Sequence, residues 1–266
     1  MDLYSLTPFD LMLAASLVLA LGVVQIILGL GLFRTLAFNS VRMVLQLLLV
    51  GVILKAVFDA ASLPWVMLIV MVMLGLAGYE VIARQKRPIR GWHGYGIGLA
   101  AMSATALIVA MLALTMVIDV DPWYAPQYSI PLLGMILGNT MTGIGLALNN
   151  LTQTAWQSRG ELEARLILGH SVRDATAELR SDSMRAGLIP TLNMLAAAGV
   201  ISLPGMMTGQ ILAGTPPIEA VKYQILIIFL ITAATGFGSL VAVQLGARRL
   251  FDDRDRLRLD RLRSGR

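Results

Sequence analysis

Long apolar runs separated by short polar segments dominate the chain. Seven runs, at about 11–33, 36–58, 63–82, 95–118, 131–151, 188–211 and 223–246, reach the roughly 20 residues that a helix needs to cross a bilayer. The pattern predicts an all-α, polytopic membrane protein with about seven transmembrane helices. Arg42 and Lys55 make the second run the most polar. The opening MDLYSLTPFD has no basic n-region, and the run after it is long enough to span, so it does not read as a signal peptide.

Composition supports this class. The chain is 57% hydrophobic and 14% charged, with mean hydropathy +0.75, where soluble domains carry about 25% charged residues. The absence of cysteine excludes disulfides and thiolate metal sites.

The basic residues set an expected orientation, because they accumulate in cytoplasmic loops. Arg84, Lys86, Arg87 and Arg90 crowd the loop 83–94, whereas DVDPWYAPQYS holds Asp119 and Asp121 and no base. All but Lys55 and Lys222 of the 21 basic residues fall on one side. This predicts an outside N-terminus and an inside C-terminus in a multi-pass protein of the inner (plasma) membrane. It also makes the pI near 9.9 a topology signal rather than a nucleic-acid footprint. Residues 1–246 read as a transmembrane domain and 247–266 as a basic cytoplasmic tail, with membrane lipid, anionic at the tail, as the surrounding partner.

Two of the runs share a motif. Gly134, Met135, Gly138 and Asn139 recur in order as Gly205, Met206, Gly209 and Gln210, followed in both runs by further apolar residues. Glycines four apart let helix backbones approach closely. Polar groups in lipid face a bundle interior or a wet cavity. Two readings stand: a packing seam between the fifth and sixth helices, or a seam whose amides, Asn139 and Gln210, also line a path. Met135, Met141, Met206 and Met207 adjoin the motifs, where thioethers suit soft cations or simply fill space. Gln25, Gln46, Asn149, Asn150, Asn193 and Gln224 read as interhelical glue. No His or carboxylate cluster with ligand spacing lies inside the runs, so metal ligands stay unassigned.

Segment 152–187 is the one sizeable polar stretch between runs. It reads as two short helices hinged at Gly169, with Ser171 as an N-cap and an apolar stripe through Leu162, Leu166, Val172, Ala175 and Leu179. It is either a helix on the membrane surface or a docking element for a soluble partner. Nothing matches a P-loop, and no carboxylate relay crosses the membrane. A pump of this kind needs an ATPase from another chain, so no enzyme activity or cofactor is expected here, and ATP with magnesium would sit on the partner.

The runs VRMVLQLLLVGVILKAVF (41–58), IPLLGMILGNTMTGIGLALNNL (130–151), SMRAGLIPTLNML (183–195) and SLPGMMTGQILAG with PIEAVKYQI (202–225) resemble the FetB/YbbM-like permeases. That family holds the membrane subunits of a bacterial iron-export ABC transporter and a related plant aluminium-tolerance permease. The resemblance covers about Arg42 to Ala242. It implies a homodimeric permease that works with a separate cytoplasmic ATPase and exports metal ions. It makes 152–187 the coupling segment, with Leu162, Leu166, Leu168 and Gly169 at the contact. The alternative is a self-contained channel or a structural membrane subunit without an ATPase.

Overall fold

The computed structural model describes residues 7–60 and 62–263. It is helical throughout, as expected, and its first five helices are α1 (Pro8–Ile27), α2 (Phe33–Ala60), α3 (Leu63–Ala83), α4 (Trp92–Leu112) and α5 (Pro126–Gln157). A π-helical turn, Ala113–Val117, extends α4. Then come α6 (Arg159–Ile167), α7 (Val172–Ala175), α8 (Ala177–Ala197), α9 (Gly205–Leu212) and α10 (Pro217–Arg249). Local chemistry sets several ends. Thr7 and Asp10 form a reciprocal capping box on α1. Pro126 occupies the first turn of α5, where its missing N–H costs nothing. This starts α5 five residues before the expected boundary and leaves Pro131 inside the helix.

Six helices are long and apolar enough to cross a membrane among the described residues: α1, α2, α3, α4 with its π-helical turn, α5 and α10. The core forms around α5 and α10. Going along α5, Thr140 meets Gly238 and Leu148 meets Gly246, so α5 and α10 run parallel. Helix α8 runs against both: Gly143 lies on Gly187, and the Ser183 hydroxyl donates to Asn150 Oδ1 at 3.2 Å, further along α5 and earlier along α8. Two parallel helices in sequence require a return pass, and α8 supplies it. On the other flank, α3 and α4 form a hairpin against α5, with Gly78 on Tyr95 and Leu99, and Gly134 on Met73.

The expected sixth helix, 188–211, is not one element. Helix α8 ends at Ala197, and α9 begins only at Gly205. Between them Gly199 takes φ +84°, a conformation open to glycine and strained for other residues, and Pro204 precedes α9 in an extended conformation.

The hairpin of α1 and α2 stands apart from this core. Only Gly22 of α1 and Val57 of α2 are buried. One ion pair, Arg42 to Glu80 at 2.6 Å, ties α2 to α3. The expected tail is folded as far as it is described. Phe251 and Leu262 are buried, Arg263 N donates to Pro88 O, and Arg90 N donates to Arg261 O. The tail thus lies on the loop 84–91. Arg87 in turn stacks 4.1 Å over the Trp156 ring at the end of α5. The basic segments therefore share one end of the bundle.

Candidate functional site

The closest helix approach is at glycines the motif reading passed over. A Cβ on Gly187 of α8 would stand 2.8 Å from Gly143 O and 2.9 Å from Ala147 Cβ. One on Gly143 would collide with Thr235 of α10, and one on Gly238 would stand 3.0 Å from Thr105 Oγ1 and from Thr140 Cγ2. This junction of α4, α5, α8 and α10 is a dense node edged with hydroxyls. Thr140, Thr235 and Ser239 are fully buried there, and their hydroxyl oxygens have no partner among the described residues.

The two repeated motifs do not meet. Helix α9 packs on α10 rather than on α5. Gly138, Gly205 and Gly209 have nothing within 4 Å of where a Cβ would stand, and Gly134 touches only the end of Met73. Within this chain these glycines form no seam between the fifth helix and the sixth. The reason is the break at 198–204, which separates α9 from the straight part of α8. Met207 is buried at 9% exposure, Met206 is exposed, and Met135 packs half-buried on the core. Gln210 Oε1 is buried without a partner.

The structure does put Asn139 on a distinctive face. Between Pro131 and Gln153 of α5 the residues left open are Pro131, Gly138, Asn139 and Leu146, with Met135, Thr142, Asn149 and Gln153 half-open on the same side. This is a polar-rich stripe at helical spacing on the central helix of the bundle. Asn139 Nδ2 donates to Met135 O at 2.8 Å, and the Thr142 hydroxyl to Gly138 O at 3.0 Å. Each side chain is held against its own backbone, and its oxygen retains acceptor capacity. Thr142 was missed because a lone threonine in an apolar run carries no signal. Asn149 and Asn150 act as glue, accepting from Lys86 N and from Ser183 Oγ. Asn193 is exposed on α8. No group of three or more His, Asp or Glu among the described residues is placed to hold a metal ion.

Within 152–187 the first residues simply extend α5. Gly169 turns the chain at φ +89° after α6, and Ser171 caps α7, accepting from Asp174 N at 3.1 Å. Arg165 bridges Glu161 at 2.6 Å and Glu178 at 2.9 Å, bracing α6 against α8. The Glu178 carboxylate, helped by Glu161, raises the Arg165 pKa. The leucines expected at the contact divide. Leu162 is 5% exposed in the core and Leu166 half-buried against it, whereas Leu168 is 78% exposed. Its neighbour Ile167, 86% exposed, was missed. Ile167 and Leu168 form an apolar tip at the Gly169 turn.

Fold and apolar surface together define a polytopic, all-α membrane protein. The chain belongs to UPF0014, an uncharacterised protein family that matches residues 8–251. It is 39% identical to a UPF0014 membrane protein of Synechocystis over 86% of this chain and 88% of the relative. It is 30% identical to the probable iron export permease protein FetB of Escherichia coli, over 99% of each chain. With the protein Aluminum Sensitive 3 of Arabidopsis thaliana it shares 31% identity over 78% of this chain and 74% of that one. No solved structure matches it.

Proposed function

We propose that this chain is the membrane-spanning permease subunit of an ABC transporter that exports metal ions, with iron as the first candidate. The observation that carries this reading is the end-to-end similarity to the E. coli protein named a probable iron export permease. ATP hydrolysis belongs to a separate cytoplasmic subunit, which holds ATP and magnesium and docks on the tip at Ile167 and Leu168. The chain makes seven passes, α8 with α9 being the sixth, with its N-terminus outside and its C-terminus inside. The working unit is a homodimer. Polar groups facing lipid are costly, and the stripe through Gly138, Asn139 and Thr142 is open on one side, where a second copy completes a path. Gly134, Met135, Gly205, Met206, Met207, Gly209 and Gln210 flank that path from α5 and α9.

The test is metal content, measured over several metals, in cells lacking the protein, with co-purification of an ATPase subunit from cells that have it. Accumulation of one metal together with a bound ATPase is the expected result. Unchanged metal levels and no ATPase in the purified complex would overturn the reading in favour of a channel or structural subunit.

A further inference from the structure

A cavity of about 670 Å³ lies between α7, the start of α8 and the end of α10. Arg173, Arg180 and Arg248 line it, together with Gln244, Leu240 and Val243. Of the other arginines of the segment 152–187, Arg165 pairs with Glu161 and Glu178 and Arg185 with Asp182, while Arg159 stands over the Trp156 ring. Among the described residues, none of the three cavity arginines lies within 4.0 Å of a carboxylate. Asp174, also on the wall, is engaged by the Ser171 hydroxyl at 2.6 Å.

Arg180 is the built part of the site. Its guanidinium donates to Gln244 Oε1 at 3.2 Å and to Arg173 O at 2.7 Å, which fixes its plane. Its Nε is buried without a partner. Three guanidinium groups on one wall with no carboxylate to offset them suit an acceptor-only anion.

The surface leading into the cavity names the source of that anion. Phe237, Leu240, Gln244 and Arg248 follow one another at helical spacing on one face of α10. The first two are large exposed apolar side chains, and the last two are polar. Gly246 packs on Leu148 and Leu151, so Arg248 stands near the level of Trp156 with its stacked Arg87. Trp and basic residues gather at the headgroup level of a membrane. The cavity is thus polar at that level and opens along an apolar stripe, the order of groups in a phospholipid.

We propose that this cavity binds the phosphate of an anionic glycerophospholipid, with Arg180 and Arg248 on the phosphate and the acyl chains along Leu240 and Phe237. The site needs neither an ATPase nor a cargo, so it stands or falls separately from the permease reading.

The test uses the purified full chain, stripped of lipid in detergent and offered phosphatidylglycerol or phosphatidylcholine, with bound lipid counted by native mass spectrometry. Phosphatidylglycerol should be retained in preference. Arg180→Gln and Arg248→Gln should each weaken its retention about fivefold, the effect of one arginine near a lipid surface. Arg185→Gln, off the cavity, should leave it unchanged. Arg248 makes no fold-holding contact comparable to those of Arg180, so its variant reads the site even if Arg180→Gln loosens α8. Equal retention of the two lipids, or full retention by Arg248→Gln, overturns the proposal. Displacement of the lipid by inorganic phosphate would point to a soluble anion instead and overturn it too. So would variants that keep the lipid but lose a co-purifying protein, because the cavity would then be a protein-docking surface.

Discussion

Gly187 of α8 lies so close to Gly143 of α5 that a methyl group on Gly187 would stand 2.8 Å from the Gly143 carbonyl oxygen. The obstacle is backbone, which cannot rotate away, and Ala147 and Ser239 close the other sides. The return pass of the chain is therefore locked against α5 at this point.

Gly187→Ala should destabilise the protein by about 1–3 kcal/mol, the usual cost of overpacking a full core. Thermal unfolding in detergent, followed by loss of monodisperse protein, measures it. Gly138→Ala, with open space around it, should unfold within about 0.5 kcal/mol of wild type, as surface changes do. A large loss at Gly138 in the isolated monomer would contradict the open stripe.

Asn139→Ala and Thr142→Val should cut transport about tenfold, near 1.4 kcal/mol or one hydrogen bond, at unchanged protein level. Both side chains bond only their own helix, so the fold does not depend on them. Flux from loaded vesicles is the measurement. Wild-type flux in both variants would remove the stripe from the path.

Ile167→Asp and Leu168→Asp should abolish binding of the proposed ATPase subunit while leaving membrane insertion intact, because both side chains are exposed. Leu162→Ala should behave differently. Its side chain is in the core, and truncation should cost about 2–5 kcal/mol in stability. A pull-down set beside the melting curve separates the two outcomes.

The folded tail predicts a pH response. Asp252 accepts from the backbone N–H of Arg256 at 2.9 Å and of Arg254 at 3.0 Å, and pairs with the Arg256 guanidinium. The Arg256 backbone bond leads in lowering its pKa from 3.8 to about 2. A depressed carboxylate stabilises above its ordinary value and ceases to do so as pH falls through the folded value. The tail should thus hold at neutral pH and loosen between about pH 4 and pH 2. Amide exchange at Arg254 and Arg256 reads this out, and Asp252→Asn should show the loosened state already at pH 7.

Topology has a direct check. A reporter inserted near Arg87 should read as cytoplasmic and one near Asp121 as exported. The opposite result would reverse the orientation inferred from the charge distribution.

The sequence by itself determined the class. Runs of lipid-compatible length, a one-sided distribution of arginine, the Ser171 cap and the Gly169 turn are local properties, set by a few consecutive residues and the bilayer. The faces of the helices were decided only by tertiary structure. In a soluble protein the apolar side of a helix marks the core, but in lipid both sides are apolar and the pattern is silent about which is buried. So the motif points to Gly138 on α5 and not to Gly143 five residues on, yet Gly138 faces open space and Gly143 bears on Thr235 and Gly187. The same ambiguity hid Thr142 and made Leu162 and Leu168 look equivalent. The break after Ala197 adds a second cause. Gly199 and Pro204 carry the local signal for it, but the mainly apolar run around them outweighed that signal, and only packing against α10 fixes where α9 goes.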